Sequence, residues 1–230
     1  MIKIKQNGQI AASNLDQLHD EYAIRHCVVL RELLEPKILA YLQGHINISH
    51  MVTKSELDGD SEFGKVLFLP ESEPALFIFR LLLNNRRFFA LLEGITNCSV
   101  IGNFFGRIHT SIQGTQHQIE WHGDNADTRL LGLTIDLGTE DYTGGVFQLR
   151  RRSTGEILCE VPRMRAGDAF VFGIAPDLQH RLTVVEGGGP RTVGVGWFRS
   201  QPDFRTFAAD YLTFQRAEIA TEIPVRVLTS

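Results

Sequence analysis

The sequence contains few cysteines, and they form no recognisable pattern. Its 230 residues include three, Cys27, Cys98 and Cys159, which lie far apart and are odd in number. Because no Cys-x-x-Cys pair is present, neither a disulfide framework nor a zinc ribbon is predicted. This cysteine usage is typical of a reducing compartment, so we expect a cytoplasmic protein.

Long apolar runs are also lacking. No stretch approaches the roughly 20 apolar residues of a membrane-spanning helix. The most apolar segment, residues 76–92, is broken by Arg80 and by the polar residues 84–87. Residues 1–6 lack the apolar centre of a signal peptide. We therefore expect neither a membrane span nor a secretory leader.

No excess of positive charge is present. The chain has 23 basic and 27 acidic residues, a formal net charge of -4 and a pI near 6.1. This balance argues against nucleic acid or an anionic membrane surface as a partner. The run Arg150-Arg151-Arg152 is short and falls in a predicted turn. A solvated hairpin tip is its favoured interpretation, and an anion contact is the alternative.

Length and composition predict a single domain over residues 1–230, with a helical N-terminal part over 1–95. Two short helices are expected to begin near Ser13 and Pro36. The strongest helical pattern covers 74–93, where apolar residues recur every three or four positions. Residues 45–74 carry scattered glycines, prolines and acids and are predicted to be mostly loop, with one short strand over 66–69. This loop is interpreted either as a lid over substrate or as a surface excursion without a role.

From residue 96 the pattern changes to short alternating segments separated by turn residues. Eight strands are predicted, over residues 99–112, 118–122, 129–137, 145–150, 156–161, 169–172, 180–185 and 192–198. Such a series is typical of a jelly-roll core over 96–200. The fold class is therefore mostly β with flanking helices, the N-terminal helices being packed outside. Residues 201–230 are predicted to form a helix, over 203–217, and a tail.

One constellation in this region points to chemistry. His122 and Asp124 lie two residues apart, so an extended segment places both on one face. His180 is predicted to begin a later strand, and Arg191 the next, the two strands being joined as a hairpin. Two imidazoles and one carboxylate can occupy one face of an octahedral iron and leave three positions open. An arginine nearby can hold a carboxylate by two parallel hydrogen bonds.

The ordered set His122-x-Asp124, His180 and Arg191 resembles the signature of the iron(II)/2-oxoglutarate-dependent dioxygenases. Flanking segments over 142–147, 165–172, 180–187 and 191–198 resemble the strands and turns of their prolyl-4-hydroxylase-like branch. The likeness covers roughly residues 100–200. It implies a double-stranded β-helix fold.

The resemblance assigns roles to these residues. Iron(II) would be held by His122, Asp124 and His180, and no catalytic residue is implied beyond these ligands. The far carboxylate of 2-oxoglutarate would pair with Arg191, and dioxygen would take the last metal position. Related halogenases have a small residue where Asp124 stands, so the carboxylate favours hydroxylation or desaturation. Succinate and carbon dioxide would be the coproducts.

Other residues are assigned by position on predicted strands. Thr134 is a candidate second contact to 2-oxoglutarate, and Arg129 and Asp136 are candidate substrate contacts. Asp136 would be a costly buried charge unless it were paired, for example with an arginine. The branch often has a tyrosine on the strand before His-x-Asp, whereas that strand offers Arg107, His109, Thr110 and Ser111 here. The six histidines other than His122 and His180 are interpreted as structural or exposed. Trp121 and Trp197 are interpreted as packing residues, and a position facing the pocket is the alternative for Trp197.

Three functions remain open at this point. The first is hydroxylation of a small molecule or amino-acid-like substrate, favoured by compact size. The second is hydroxylation of a protein or peptide side chain, for which an extended groove is expected. The third is a non-catalytic barrel that binds a metal or ligand, against which the intact ligand set argues. A cupin is the alternative fold, but its clustered His-x-His pattern is absent. Nothing in the sequence sets an oligomeric state.

Overall fold

The computed structural model describes residues 1–46, 48–58, 61–112, 119–125 and 128–204. These residues form four α-helices and fifteen strands. The helices are α1 (Leu15–Arg25), α2 (Pro36–His45), α3 (Pro74–Leu83) and α4 (Arg86–Thr96). The strands are β1 (Ile2–Ile4), β2 (Ile10–Ala12), β3 (Cys27–Leu30), β4 (Val52–Asp58), β5 (Ser61–Phe68), β6 (Asn103–Ser111), β7 (Ile119–His122), β8 (Arg129–Asp136), β9 (Tyr142–Gly144), β10 (Phe147–Arg151), β11 (Ile157–Val161), β12 (Ala169–Gly173), β13 (Leu178–Leu182), β14 (Val185–Gly188) and β15 (Arg191–Arg199).

Two antiparallel sheets carry most of these strands. The larger sheet has the order β3-β12-β8-β15-β6-β5-β4, and the smaller has the order β11-β10-β13-β7. Side chains of both sheets line one cavity, so the sheets face each other. The prediction of a mostly β chain with flanking helices is confirmed. The helix predicted over 203–217 and the tail after it lie outside the described residues, apart from 203–204.

Each of the eight predicted strands overlaps an observed strand, with ends displaced by a few residues. The exception in length is 180–185, which contains parts of two strands. β13 stays in the smaller sheet, while β14 leaves it to pair with β9. The sequence does not predict the β9–β14 pairing, because both strands contain glycines, which interrupt the alternation of polar and apolar side chains. Gly144 has a left-handed φ of 75° and Gly188 one of 85°.

The single helix predicted over 74–93 is two helices, α3 and α4. The Asn85 side chain accepts hydrogen bonds from the backbone N–H groups of Arg87 (2.9 Å) and Phe88 (3.4 Å) and so caps α4. The Asn84 side chain bonds the backbone of Phe104 on β6 through both its oxygen and its nitrogen. Both helices bury apolar side chains, so the apolar period runs across the break and conceals it.

Replacing Asn85 with alanine is expected to lower the free energy of unfolding by about 1 kcal/mol, because α4 loses its N-cap. Chemical denaturation of the purified protein measures this change. Arg87→Ala is the matched control, since the Arg87 side chain is exposed on the same helix turn. Equal destabilisation by the two variants would contradict the capping role.

Residues 52–58 and 61–68, predicted as mostly loop, form the strands β4 and β5, which pair antiparallel. β5 extends the larger sheet by pairing with β6 through Leu67↔Thr110 and Phe68↔His109. The short strand predicted over 66–69 is the end of β5. Gly64 favours a loop in the sequence because glycine weakens strands, yet it lies within β5, close to the edge of the sheet, where glycine is tolerated. A covering role for this segment stays a prediction.

One apolar cluster joins the N-terminal helices to the larger sheet, running from Ile2 to Phe198. The Phe79 ring of α3 packs on β15 so closely that a Cβ on Gly194 would lie 2.5 Å from it. The helices therefore pack outside the sheet, as predicted. A second cluster lies under the smaller sheet. In the described ranges no helix combines the length and apolarity that crossing a membrane requires.

Candidate metal and ligand site

The three predicted metal ligands lie together at the inner face of the smaller sheet. His122 ends β7 and His180 lies in the middle of β13, and the two residues are directly opposite each other in the paired strands. Their ring centroids are 4.2 Å apart. Asp124 follows β7 by two residues. One possible ligand atom from each of the three lies within 4.8 Å of the others.

Both imidazoles face the Asp124 carboxylate, and a hydrogen bond orients that of His122. His122 Nδ1 donates to the carbonyl oxygen of Glu120 at 2.8 Å, which leaves Nε2 as the ring atom that can accept a metal. That Nε2 lies 3.9 Å from Asp124 Oδ1, and His180 Nε2 lies 3.7 Å from Asp124 Oδ2. The two ring nitrogens and the carboxylate thus surround one point, as a facial ligand set requires.

The environment keeps His180 neutral. The pKa of His180 is lowered to about 3, first by burial and then by the proximity of His122, while Asp124 acts in the opposite direction. A neutral imidazole is the form that binds metal, because protonation occupies the lone pair. His180 is therefore in the protonation state in which its ring nitrogen can bind a metal cation.

Asp124 is held by the opposite sheet. Arg129 Nη1 on β8 donates to Oδ1 at 3.1 Å, and Trp197 Nε1 on β15 donates to Oδ2 at 2.5 Å. The Arg129 guanidinium also lies over the Trp197 ring, 3.9 Å from its centroid. Trp197, interpreted from the sequence as packing, therefore orients a candidate ligand. Such supporting hydrogen bonds fix the direction in which a carboxylate presents its oxygens.

A cavity of about 330 Å³ lies between the sheets. Its wall includes the three candidate ligands and three further residues predicted from the sequence: Arg129, Thr134 and Arg191. Thr134, on β8, is 7% exposed. The structure thus brings six of the seven predicted site residues to one cavity.

Arg191 reaches the cavity by a route that the sequence did not predict. The strands of His180 and Arg191 were expected to form a hairpin, but β13 belongs to the smaller sheet and β15 to the larger. The connection crosses between sheets through β14, so the two residues line the cavity from opposite walls. Arg191 is 4% exposed, and its Nε has no hydrogen-bond partner in the described part of the chain.

Asp136 is the predicted site residue that lies outside the cavity wall. Its Oδ1 accepts the Gly138 N–H at 2.9 Å and its Oδ2 accepts the Tyr142 hydroxyl at 3.1 Å. Burial raises the pKa of Asp136, while the Gly138 N–H and the charge of Arg191 act in the opposite direction. Burial also raises the pKa of Tyr142, and the charge of Arg191 opposes this shift. Asp136 therefore does not contact the cavity, where a substrate contact was expected, and lies behind Arg191 instead.

Sequence reasoning missed two residues of the cavity wall on β6, Arg107 and His109. His109 was interpreted as structural or exposed, yet it is 3% exposed and lies in the wall. The available signal was the spacing of two along a strand, which sends both side chains to one face. That signal indicated a shared face but not which sheet surface it belonged to.

The arginine run at 150–152 is only partly a turn. Arg150 and Arg151 belong to β10, and only Arg152 follows the strand. The Arg150 guanidinium lies over Trp121 at 4.1 Å from the ring centroid, and Arg181 lies over the same ring at 4.7 Å. Trp121 therefore packs between two cations, which agrees with the packing role predicted for it.

The fold is shared with solved structures at low sequence identity. An oxidoreductase of the 2OG-Fe(II) oxygenase family from Burkholderia pseudomallei has a TM-score of 0.61 and 16% identity, over 84% of this chain and 94% of its own. A prolyl hydroxylase from Trichoplax adhaerens, in complex with a hypoxia inducible factor peptide, has a TM-score of 0.60 and 10% identity, over 80% of this chain and 88% of its own. The non-heme alpha ketoglutarate dependent epimerase SnoN from nogalamycin biosynthesis has a TM-score of 0.57 and 15% identity, over 80% of this chain and 81% of its own.

These likenesses confirm the predicted jelly-roll fold of the 2OG-Fe(II) oxygenase structures. No protein-family model matches the chain, and no curated protein matches it either. Both a peptide complex and an enzyme from nogalamycin biosynthesis occur among these neighbours.

Proposed function

We propose that this chain is an iron(II)- and 2-oxoglutarate-dependent dioxygenase that hydroxylates an unactivated C–H bond of a small molecule or amino-acid-like substrate. The observation that carries the proposal is the cluster of His122, Asp124 and His180 in one cavity with Arg191 in the opposite wall. The shared fold supports it independently. Succinate and carbon dioxide are the expected coproducts.

The donor set fits the proposed metal and cosubstrate. His122 and His180 offer Nε2 atoms and Asp124 offers a carboxylate, the ligand types of non-haem iron oxygenases. Arg191 offers a buried guanidinium whose Nε lacks a partner among the described residues, which suits the far carboxylate of 2-oxoglutarate. Thr134, in the same wall, is proposed to donate its hydroxyl to the cosubstrate.

Iron, 2-oxoglutarate and dioxygen together supply the oxidising chemistry when bound. The residues of this chain orient the reactants and limit access of water. Hydrogen bonds from Arg129 and Trp197 orient the Asp124 carboxylate, and the hydrogen bond to the Glu120 carbonyl oxygen orients the His122 ring. Phe147, Phe170 and Phe172 give the cavity an apolar side beside these ligands.

The size of the cavity favours a small substrate. Small-molecule sites in proteins measure about 300–1,000 Å³, and this one measures about 330 Å³ before cosubstrate enters. We further propose that residues 1–230 act as one domain, supported by the apolar cluster shared by the N-terminal helices and the larger sheet.

The test is anaerobic addition of iron(II) and 2-oxoglutarate to the purified protein. A weak visible charge-transfer band is expected only when both are present, and air should then yield succinate. Absence of the band in the wild-type protein would overturn the proposal. A band without succinate would favour the non-catalytic barrel.

Replacing Tyr142 with phenylalanine is expected to weaken 2-oxoglutarate binding about three- to tenfold. The change removes the hydroxyl that donates to Asp136, the carboxylate on which the charge of Arg191 acts, and one hydrogen bond is worth about 0.5–1.5 kcal/mol. Titration of the band with 2-oxoglutarate measures the effect, and iron affinity should not change. Tyr41→Phe is the control, since Tyr41 is exposed on α2. A loss of iron affinity in Tyr142→Phe would count against the supporting role.

A further inference from the structure

Two of the three cysteines lie on end strands of the two large sheets. Cys27 is on β3, at one end of the larger sheet, and Cys159 is on β11, at one end of the smaller sheet. Both side chains are buried, with 0% and 5% of their surface exposed, and both belong to the apolar cluster under the smaller sheet. Cys98 packs against the other cluster. The chemistry proposed above uses no thiol.

Strand register aligns each cysteine with residues of the cavity. Directly paired residues on neighbouring strands point to the same face of a sheet. In the smaller sheet the paired residues form a row of Cys159, Leu149, His180 and His122. In the larger sheet they form a row of Cys27, Phe172, Gly132 and Trp197. Both rows contain residues of the cavity wall, so both point into the space between the sheets.

Contacts between the sheets place the two rows opposite each other. The ring centroids of Phe172 and His180 are 4.7 Å apart. At the far end of the rows, Trp197 Nε1 donates to Asp124, two residues after His122. The near ends of the rows, Cys27 and Cys159, therefore face each other as well. Because neighbouring strands are about 4.8 Å apart, Cys159 lies roughly 10 Å from His180, two strands away.

Each thiol is also the largest influence on the ionisation of the other. The pKa of Cys27 is raised, first by the Cys159 thiol and then by burial. The pKa of Cys159 is lowered, first by the Cys27 thiol, while burial acts in the opposite direction. The thiolate is the nucleophilic form of cysteine. Cys159, on the end strand of the smaller sheet, is therefore the thiol that reacts first with an oxidant.

We propose that Cys27 and Cys159 form a reversible disulfide that joins the two sheets when hydrogen peroxide oxidises the protein. The Cys159 thiolate attacks one peroxide oxygen, the O–O bond breaks, and hydroxide leaves, which gives a sulfenic acid at Cys159. The Cys27 sulfur then attacks the Cys159 sulfur and gives up its proton, and water leaves as the S–S bond forms. In total two thiols and one hydrogen peroxide give one disulfide and two waters: the sulfurs lose two electrons and the peroxide gains them. This inference does not rest on the proposed function.

The disulfide has a measurable effect on stability. It closes a long loop between distant positions of the chain, and such a cross-link limits the conformations of the unfolded protein. We expect the oxidised protein to unfold at a temperature about 5 °C or more above that of the reduced protein. Reduction with dithiothreitol should return the unfolding temperature to its original value.

The test treats the full-length, iron-free protein with hydrogen peroxide, because iron(II) itself consumes peroxide. Free thiols are then alkylated, and the protein is digested without reduction and analysed by mass spectrometry. We expect a peptide pair linked through Cys27 and Cys159 that disappears after dithiothreitol. Cys98→Ala is the matched control and should form the link as the wild type does. Cys27→Ala and Cys159→Ala, which keep a small apolar side chain at a buried position, should not form it.

Several results would overturn the inference. They are two thiols that stay open to alkylation after peroxide, oxidation of Cys159 to a sulfinic acid without a link, and a link that involves Cys98. A cross-linked protein that unfolds at or below the temperature of the reduced protein would also overturn it. Failure of the proposed function shows separately, as absence of the charge-transfer band in the reduced protein.

Discussion

Replacing Asp124 with alanine is expected to abolish iron binding and to reduce succinate formation to below about 1% of the wild-type rate. Changes in residues that merely support a metal ligand already cost about 10- to 100-fold, and this change removes a ligand itself. Iron content after anaerobic loading and gel filtration, together with the charge-transfer band, measures the loss. His180→Ala is expected to behave in the same way.

The structure adds a second effect to the Asp124 replacement. Arg129 and Trp197 lose the acceptor of their hydrogen bonds, so their donors are left unsatisfied inside the cavity. Circular dichroism therefore accompanies the iron measurement, and Asp20→Ala, an exposed carboxylate on α1, is the matched control. Full iron content in a folded Asp124→Ala protein would exclude this residue as a ligand.

The second large effect is expected at Arg191. Arg191→Gln should raise the dissociation constant of 2-oxoglutarate about 30-fold or more, because loss of one partner of a buried charged pair costs about 2–5 kcal/mol. Iron affinity should stay at the wild-type level, since Arg191 contacts no candidate ligand. Titration of the band with each component in turn separates the two affinities.

Arg191→Lys tests the geometry of the same contact. Lysine keeps the charge but offers a single point donor in place of a planar fork, so we expect only part of the 2-oxoglutarate affinity to return. Arg87→Gln, a change of an exposed arginine on α4, serves as the control. Parallel loss of iron and 2-oxoglutarate in Arg191→Gln would contradict the assigned role, because the defect would then be general.

The sequence was sufficient to predict the ligand cluster. His122 and Asp124 are two residues apart on an extended segment, and strand geometry alone places them on one face. His180 and Arg191 followed from the ordered motif. Their positions on opposite walls did not follow, because strand pairing depends on contacts between distant segments that a local pattern does not contain.

The residues that sequence reasoning missed share one cause. Arg107 and His109 lie on a central strand of the larger sheet, where neighbours cover both faces and the alternation of polar and apolar residues weakens. Asp136 was correctly expected to need a partner. The partner is Tyr142, with Arg191 beyond it, and only the three-dimensional structure brings that tyrosine close. The break at Asn84 and Asn85 was hidden because both helices bury the same kind of face.

The division of the site between two sheets has a consequence for local stability. The proposed iron ligands belong to the smaller sheet, whereas Arg191 and the residues that hold Asp124 belong to the larger one. Ligands bound between them stabilise only conformations in which the sheets are closed on each other. Amide hydrogens of β7 and β13 should therefore exchange more slowly with solvent in the loaded protein. Those of α1 and α4, which pack outside the larger sheet, should exchange as before.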